Sequence, residues 1–392
     1  MSKPFQILVL NQISANGLKR LPAERYTTGK AIAAPDAVLV RSADMHSMDI
    51  AASVQAIGRA GAGTNNIPVK AMSERGVPVF NAPGANAGAV KELVLAGMLL
   101  AARNLAPALR FVQGLDAKSP DLDKTVEDGK KNFAGFELAG HTLGIIGLGK
   151  IGCLVADAAI KLGMNVLGYD PEITVDAAWS LPAQVKRAAS ANEVLKNSDF
   201  VTLHVPLVAA TRDLVNADNV KLMRGGAVLL NFSREGVVND AAVLAALDAK
   251  HLAWYVCDFP GEAIHGHAKV IALPHLGAST REAEENCAIM VADQLRDFLE
   301  NGNVANAVNF PNVAMARESG FRVAIANANV PNMLGQISTA MASAGLNIHN
   351  MVNKSRGDMA YTLVDVESAV SEAVLDSLRG ISGVLAVRYL PS

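Results

Sequence analysis

Short apolar runs alternate with longer amphipathic stretches from the start of the chain: ILVL near residue 8, AVLVRSA near 40, SVQAIGRAG near 57 and VPVFNAP near 80. Runs of strand length separated by stretches of helical period predict a parallel sheet with helices packed on it. A long helix is predicted over roughly residues 89–103, after the Gly/Asn/Pro-rich turn NAPGANAG. A polar loop, KSPDLDKTVEDGKKNFAG, follows, and the rhythm restarts at TLGIIGLGKIG. It continues through NVLGYD, DFVTLHVP, GAVLLNFSR, LAWYVCDF and VIALPH, six runs that predict a second, doubly wound parallel sheet buried on both faces.

The Glu-rich stretch EAEENCAIMVADQLRDFLENG predicts a helix that returns the chain to the first sheet, and FPNVAMARESG reads as a linker. From about Phe321 the order is strand, helix, strand, strand, helix, strand, the ferredoxin-like pattern. The expected fold is therefore α/β, with a Rossmann-type domain over 88–278, a discontinuous flavodoxin-like domain from 1–87 and 279–312, and a small domain over 318–392.

Composition narrows what such a protein does. Thirty-five Lys and Arg balance 37 Asp and Glu with no long run of either sign, which disfavours nucleic acid and anionic membrane as partners and leaves small molecules. The longest apolar run, Leu93 to Ala102, is about half the roughly 20 residues of a membrane span. Cys153, Cys257 and Cys287 are odd in number and in no metal-ligand or redox spacing, so no metal is expected and a cytoplasmic setting is.

Gly147-Leu148-Gly149-Lys150-Ile151-Gly152 is G-x-G-x-x-G, placed after a predicted strand and opening a predicted helix. In that context the glycines allow a tight turn, backbone approach to a pyrophosphate and close packing, with helix-start amides facing the phosphates. The next strand ends on Asp170, 18 residues beyond Gly152, the place of an acid that binds the adenine ribose. Its charge opposes a 2′-phosphate, and no Arg or Lys lies between Pro171 and Gln184, so NAD is expected rather than NADP.

Ligands of such sheets sit beyond the carboxyl ends of the strands. Arg234, Asp258 and His275 directly follow apolar runs there, and Glu262 lies four residues past Asp258. Oxidising an alcohol by hydride transfer needs a base for the hydroxyl proton, and His275 oriented by Glu262 suits that role near neutral pH. Arg234 has the planar fork to grip the carboxylate of a 2-hydroxy acid. Each has a structural alternative: a strand-end histidine, a solvated acid beside His265 and His267, a salt-bridge arginine.

GLGKIG, YDP, HVPL, NFSREG and PHLGAST occur here in the order found in the D-2-hydroxyacid dehydrogenases. VRSAD, GRAGAGTNNIPV and NAPGANAGAVKELVLAGML, together with the tail, make the chain similar to the branch that oxidises D-3-phosphoglycerate to 3-phosphohydroxypyruvate and carries a C-terminal ACT domain. That resemblance implies NAD as cofactor, a place in serine biosynthesis, an active site in the cleft between the first two domains, and a homodimer or homotetramer. It implies Arg234, Glu262 and His275 as catalytic residues and Arg41, Ser42 and Asn86 as substrate contacts; a phosphate demands further cations, for which Lys130 or Lys131 are candidates beside Arg41. Around NAD it places Gly147, Gly149, Lys150, Ile151, Gly152, Asp170, Val205, Pro206, Ser233, Asp258, His275, Gly277 and Ala278.

The chain departs from the pattern at Glu235, which interrupts an Arg-Gly pair, at Ala263, where a proline is common, and at Ala62, where a threonine is. L-serine is an expected effector at Asn327, Asn329 and Asn347, although serine-inhibited relatives carry a histidine at the first position. The alternatives are a dehydrogenase for glycerate, lactate or 2-hydroxyglutarate, and an NAD-sensing protein without turnover.

Overall fold

The computed structural model describes residues 3–391. The chain divides into two compact units, Met1–Asn86 with Arg281–Ser392, and Ala87–Thr280. In the first unit, β1 (Phe5–Val9), β2 (Tyr26–Gly29), β3 (Ala37–Val40), β4 (Ala56–Arg59) and β5 (Val79–Phe80) form a parallel sheet in the order β2-β1-β3-β4-β5. The edge strand β2, YTTG, has no apolar run to announce it. The 21-residue helix Arg281–Asn301 fills the core of this sheet, as its composition suggests. It comes so close to β4 that a Cβ at Gly58 would stand 2.4 Å from Val291 Cγ1.

The second unit holds β6 (Thr142–Ile146), β7 (Asn165–Tyr169), β8 (Lys186–Arg187), β9 (Phe200–Leu203), β10 (Ala227–Asn231), β11 (Leu252–Cys257) and β12 (Val270–Ala272). All pairings are parallel, in the order β12-β11-β10-β9-β6-β7-β8, so the topological switch falls between β6 and β9. The sheet has seven strands where six were expected; β8 is a two-residue charged edge. The strand leading to His275 is corrected too: β12 is a three-residue edge strand with only Ile271 buried. Helix Ala87–Ala102 buries Val90, Val94 and Met98 within this unit. It meets helix Leu105–Gln113 at a 70° bend, and no single helix among the described residues is long and apolar enough to cross a membrane.

The tail forms β13 (Phe321–Ala328), helix Met333–Ser343, β14 (Ile348–Arg356), β15 (Met359–Val366), helix Glu372–Arg379 and β16 (Val384–Pro391). Its antiparallel sheet, β14-β15-β13-β16, has ferredoxin-like order. One face packs on its own helices through Val323, Ile325, Ile337, Met341 and Leu378. The other, through Ala324, Ala326, Tyr361, Leu363 and Leu390, joins the core of the first sheet. The stretch read as a linker is part of that core: Phe310 and Val313 are fully buried and Met315 nearly so. The tail keeps its own antiparallel sheet and lies in the same compact unit as the first sheet.

Arginines fix this junction. The last four carbonyls of a helix lack intrahelical partners and carry the negative end of its dipole. In helix Arg281–Asn301, Arg388 donates to Phe298 O and Leu299 O, Arg317 to Glu300 O and Arg322 to Asn301 O. Arg322 is wholly buried, as is Asp365, with Nε and Nη2 on its carboxylate at 2.6 and 2.9 Å. With Met315 O and Ala316 O as further acceptors, all five of its N–H groups are used.

Candidate active site

β6 ends at Ile146, and Gly147 turns the chain with φ +97°. A Cβ there would lie 2.4 Å from His204 O, and one at Gly152 2.1 Å from Gly147 O, so both positions exclude a side chain. Helix Lys150–Lys161 starts with Gly149 as N-cap and no side-chain cap, and a Cβ at Gly149 would meet nothing within 4 Å. A helix start without a side-chain cap leaves its first-turn amides for an anionic ligand. Lys150 is the exposed first residue of this helix, and Ile151 packs partly into the core.

Asp170 follows β7 and accepts Leu148 N–H at 2.8 Å and Glu172 N–H at 2.9 Å. Each oxygen keeps a second acceptor position for a ribose hydroxyl. The fold also brings Lys186 and Arg187, just beyond the cation-free stretch from Pro171 to Gln184, to line with Asp170 a cavity of about 570 Å³. Val205 lies against Gly147, and Pro206 O accepts the Thr211 hydroxyl at 2.5 Å. His204, which sequence reasoning passed over, shares a 3.1 Å hydrogen bond with the Thr202 hydroxyl. Burial pushes its imidazole down to about 4, so it is neutral at physiological pH.

On the rim beyond β10 and β11, Asn231 Oδ1 accepts Ser233 N–H at 3.1 Å and Ser233 Oγ–H at 2.7 Å, while its Nδ2 donates to Arg234 O. Arg234 Nη1 donates to Ser233 O at 2.6 Å. This side-chain-closed turn fixes where the arginine emerges. Asp258 is 2% exposed, and burial pushes its carboxyl up to about 6 even though Arg234 draws it down. Its Oδ2 lies 4.0 Å from the Cβ position of Gly277, and its buried Oδ1 has no hydrogen-bond partner among the described residues. Ser233, Arg234, Asp258 and Gly277 are thus brought together.

His275 is exposed, with its ring 4.4 Å from that of Phe259 and tilted by 47°. Phe259 was not singled out in the sequence; its place directly after the strand-end acid is the signal that marks it. Ala278 is half-buried in the turn closed by Ser279 N–H on Leu276 O. Glu262 opens the 3-10 turn Glu262–Ile264, its side chain in solvent and Ile264 in the core. The preceding Gly261 faces Asp240, whose Oδ2 would be 2.3 Å from a Cβ there.

In the other unit, Arg41 leaves β3 and its Nη2 pairs with Glu284 Oε1 at 2.5 Å. Asn11 Oδ1 accepts Ser42 N–H at 3.2 Å, and Asn66 Nδ2 donates to Ala43 O at 2.8 Å, holding the turn. Arg59 ends the adjacent β4, and both arginines draw the Cys287 thiol down against the rise that burial imposes. Sequence reasoning named Arg41 alone, although Arg59 obeys the same strand-end rule. Asn86 is half-buried, and Lys130 pairs with Glu127 on the surface. In the tail, Asn327 is 1% exposed with Oδ1 unpartnered among the described residues, Asn329 Nδ2 donates to Gly357 O, and Asn347 is exposed.

Residues 95–277 match the family described as D-isomer specific 2-hydroxyacid dehydrogenase, NAD binding domain. A D-3-phosphoglycerate dehydrogenase of Escherichia coli (strain K12) is 33% identical over 359 residues, 88% of this chain and 83% of that protein. The Methanocaldococcus jannaschii protein of the same name is 37% identical over 287 residues, 71% of this chain; the matched part spans about half, 52%, of its length. Among solved structures, a Thermus thermophilus protein superposes with TM-score 0.61 at 26% identity, covering 78% of this chain and all of that one. The fold is also that of an NAD⁺-bound 3-phosphoglycerate dehydrogenase from Entamoeba histolytica (TM-score 0.59, 24% identity, 78% of this chain and 99% of that one).

Proposed function

This chain belongs to the D-2-hydroxyacid dehydrogenase family, and from that premise we propose that it oxidises D-3-phosphoglycerate to 3-phosphohydroxypyruvate, the entry to L-serine synthesis, with NAD as cofactor. The residues present fit NAD. The uncapped helix start at Gly149 suits the pyrophosphate, Asp170 retains acceptor positions for the ribose, and the orphan Oδ1 of Asp258 suits an amide donor. NAD, when bound, would supply the acceptor for the hydride that leaves the substrate carbon.

The chain supplies the rest. His275 takes the hydroxyl proton, and Glu262 is proposed to stabilise the imidazolium that results. Arg234, positioned by the Asn231 turn, grips the substrate carboxylate. Arg41 and Arg59 take the phosphate, with Ser42 and Asn86 as neighbouring contacts. What carries the reading is that Arg41 and Arg59 stand at the ends of the adjacent strands β3 and β4, where two guanidinium forks suit a phosphate.

Three further parts complete the reading: a cytoplasmic setting, consistent with three free and buried cysteines; a homodimer or homotetramer; and L-serine acting near Asn327, Asn329 and Asn347. NADH absorbance with D-3-phosphoglycerate plus NAD, with and without L-serine, tests it. Turnover is expected to fall with serine. Turnover on glycerate or lactate but not on the phosphorylated acid would replace the substrate assignment, and tight NADH binding without turnover on any 2-oxo acid would replace the enzyme reading.

A further inference from the structure

At the amino ends of β1, β2, β4 and β5, the sheet edge opposite Arg41 and Arg59, lies a cavity of about 1,150 Å³. Its walls come from the first sheet, from the last turn of helix Arg281–Asn301 and from β16. Lys3, Arg25, Arg75, Arg317, Arg379 and Arg388 line it, and Glu300 is the only carboxylate among the described lining residues. In a chain whose acids outnumber its bases by two, a six-to-one wall is not average composition.

Several of these cations are bonded, but mostly to uncharged groups. Arg75 donates to Ile50 O and Ala51 O at 2.9 and 2.7 Å, and Arg317 and Arg388 to helix carbonyls. A carbonyl satisfies a guanidinium's geometry without cancelling its charge. Arg25 pairs with Glu300 at 3.2 Å with half its side chain exposed, and Lys3 makes no ion pair among the described residues. Arg379 alone has two acids, Glu372 and Asp376, on the surface side. Phe5, Val54, Val77, Leu385 and Val387 add an apolar wall. The volume exceeds what a three-carbon acid fills and is slightly above the roughly 300–1,000 Å³ of organic-ligand pockets, room enough for a ligand of nucleotide size.

We propose that this cavity binds an organic polyphosphate of nucleotide size and that occupancy is felt at Arg41. The connection is the 21-residue helix, about 30 Å long. One end offers Glu300 and its carbonyls to Arg25, Arg317 and Arg388; the other holds Arg41 through Glu284. A polyphosphate competes with Glu300 and the helix carbonyls for those arginines, loosens the last turn and shifts the Glu284–Arg41 pair.

The test is calorimetric titration of ATP and of inorganic pyrophosphate into enzyme saturated with NADH at constant ionic strength, so that the nucleotide fold is already filled. ATP is expected to bind the wild type and Arg41→Gln alike, and at least tenfold more weakly the Lys3→Gln/Arg25→Gln double variant. Retained folding of that variant is checked by its melting curve and unchanged basal turnover. Saturating ATP is expected to raise KM for the hydroxy acid fivefold or more with kcat within twofold, an effect absent from the double variant.

Absence of binding, or binding lost in Arg41→Gln but kept in the double variant, overturns the site. Pyrophosphate matching ATP overturns its nucleotide-sized character, leaving a site for small phosphates. ATP binding without a KM effect overturns the coupling. The KM measurement rests on the reaction proposed above whereas calorimetry does not, so the two readings fail separately.

Discussion

His275 rests on the Phe259 ring at the mouth of an edge strand, where a titratable ring gains little from burial and everything from what approaches it. His275→Ala is expected to lower turnover by roughly 10²–10⁴-fold while NADH binding, read by fluorescence titration, stays near wild type. Asp258 gives a different signature. Its carboxyl is pushed up to about 6 from an ordinary value near 4, so the native state holds the proton more tightly than the unfolded chain. Its contribution to stability is therefore present below about pH 4 and lost as pH rises to about 6. Asp258→Asn should flatten the urea-unfolding stability profile across that window; an unchanged profile would show that the carboxyl ionises normally. Arg234, Asp258 and His275 were legible because they directly follow apolar runs. Arg59 was equally legible and was overlooked, whereas His204 was not, because only the depth of its pocket distinguishes it.

Elements carry the next set of consequences. Gly152→Ala would place a methyl group 2.1 Å from Gly147 O; about 1–3 kcal/mol of stability and tenfold or more in NADH affinity should be lost, measured by denaturation and titration. In the tail, Arg322→Met strands Asp365 as a buried charge and should cost about 3–5 kcal/mol. The double change Arg322→Met/Asp365→Leu should recover much of that by urea unfolding. The long strands and the two principal helices could be read from period alone, because each is apolar on the faces it buries. The edges β2 and β8 could not: β2 buries only Tyr26 and β8 nothing, so both rest mainly on backbone pairing to β1 and β7, which leaves little mark in hydropathy. The 3-10 turn carrying Glu262 is likewise fixed from outside, by Asp240 against Gly261 and by Ile264 in the core.

At the scale of the molecule, the tail shares its core with the first sheet. Truncation after residue 317 would uncover Phe298 and Phe310 and strip Arg322 and Arg388 from the end of helix Arg281–Asn301. Calorimetry of the truncated chain should show the transition of the first unit lost and NADH still bound by residues 87–280. Sequence hid this because on β13 the buried junction face is only Ala324 and Ala326, and because the arginines there look solvated in isolation. The return of the chain at Arg281 carries one more consequence. Ala288 and Val291 fill space left by Gly17 and Gly58, so the first 86 residues have no finished core until a segment made almost 200 residues later arrives. On the ribosome, the nucleotide-binding unit should gain protease resistance first, while the strands synthesised before it wait, exposed, as the natural clients of a chaperone.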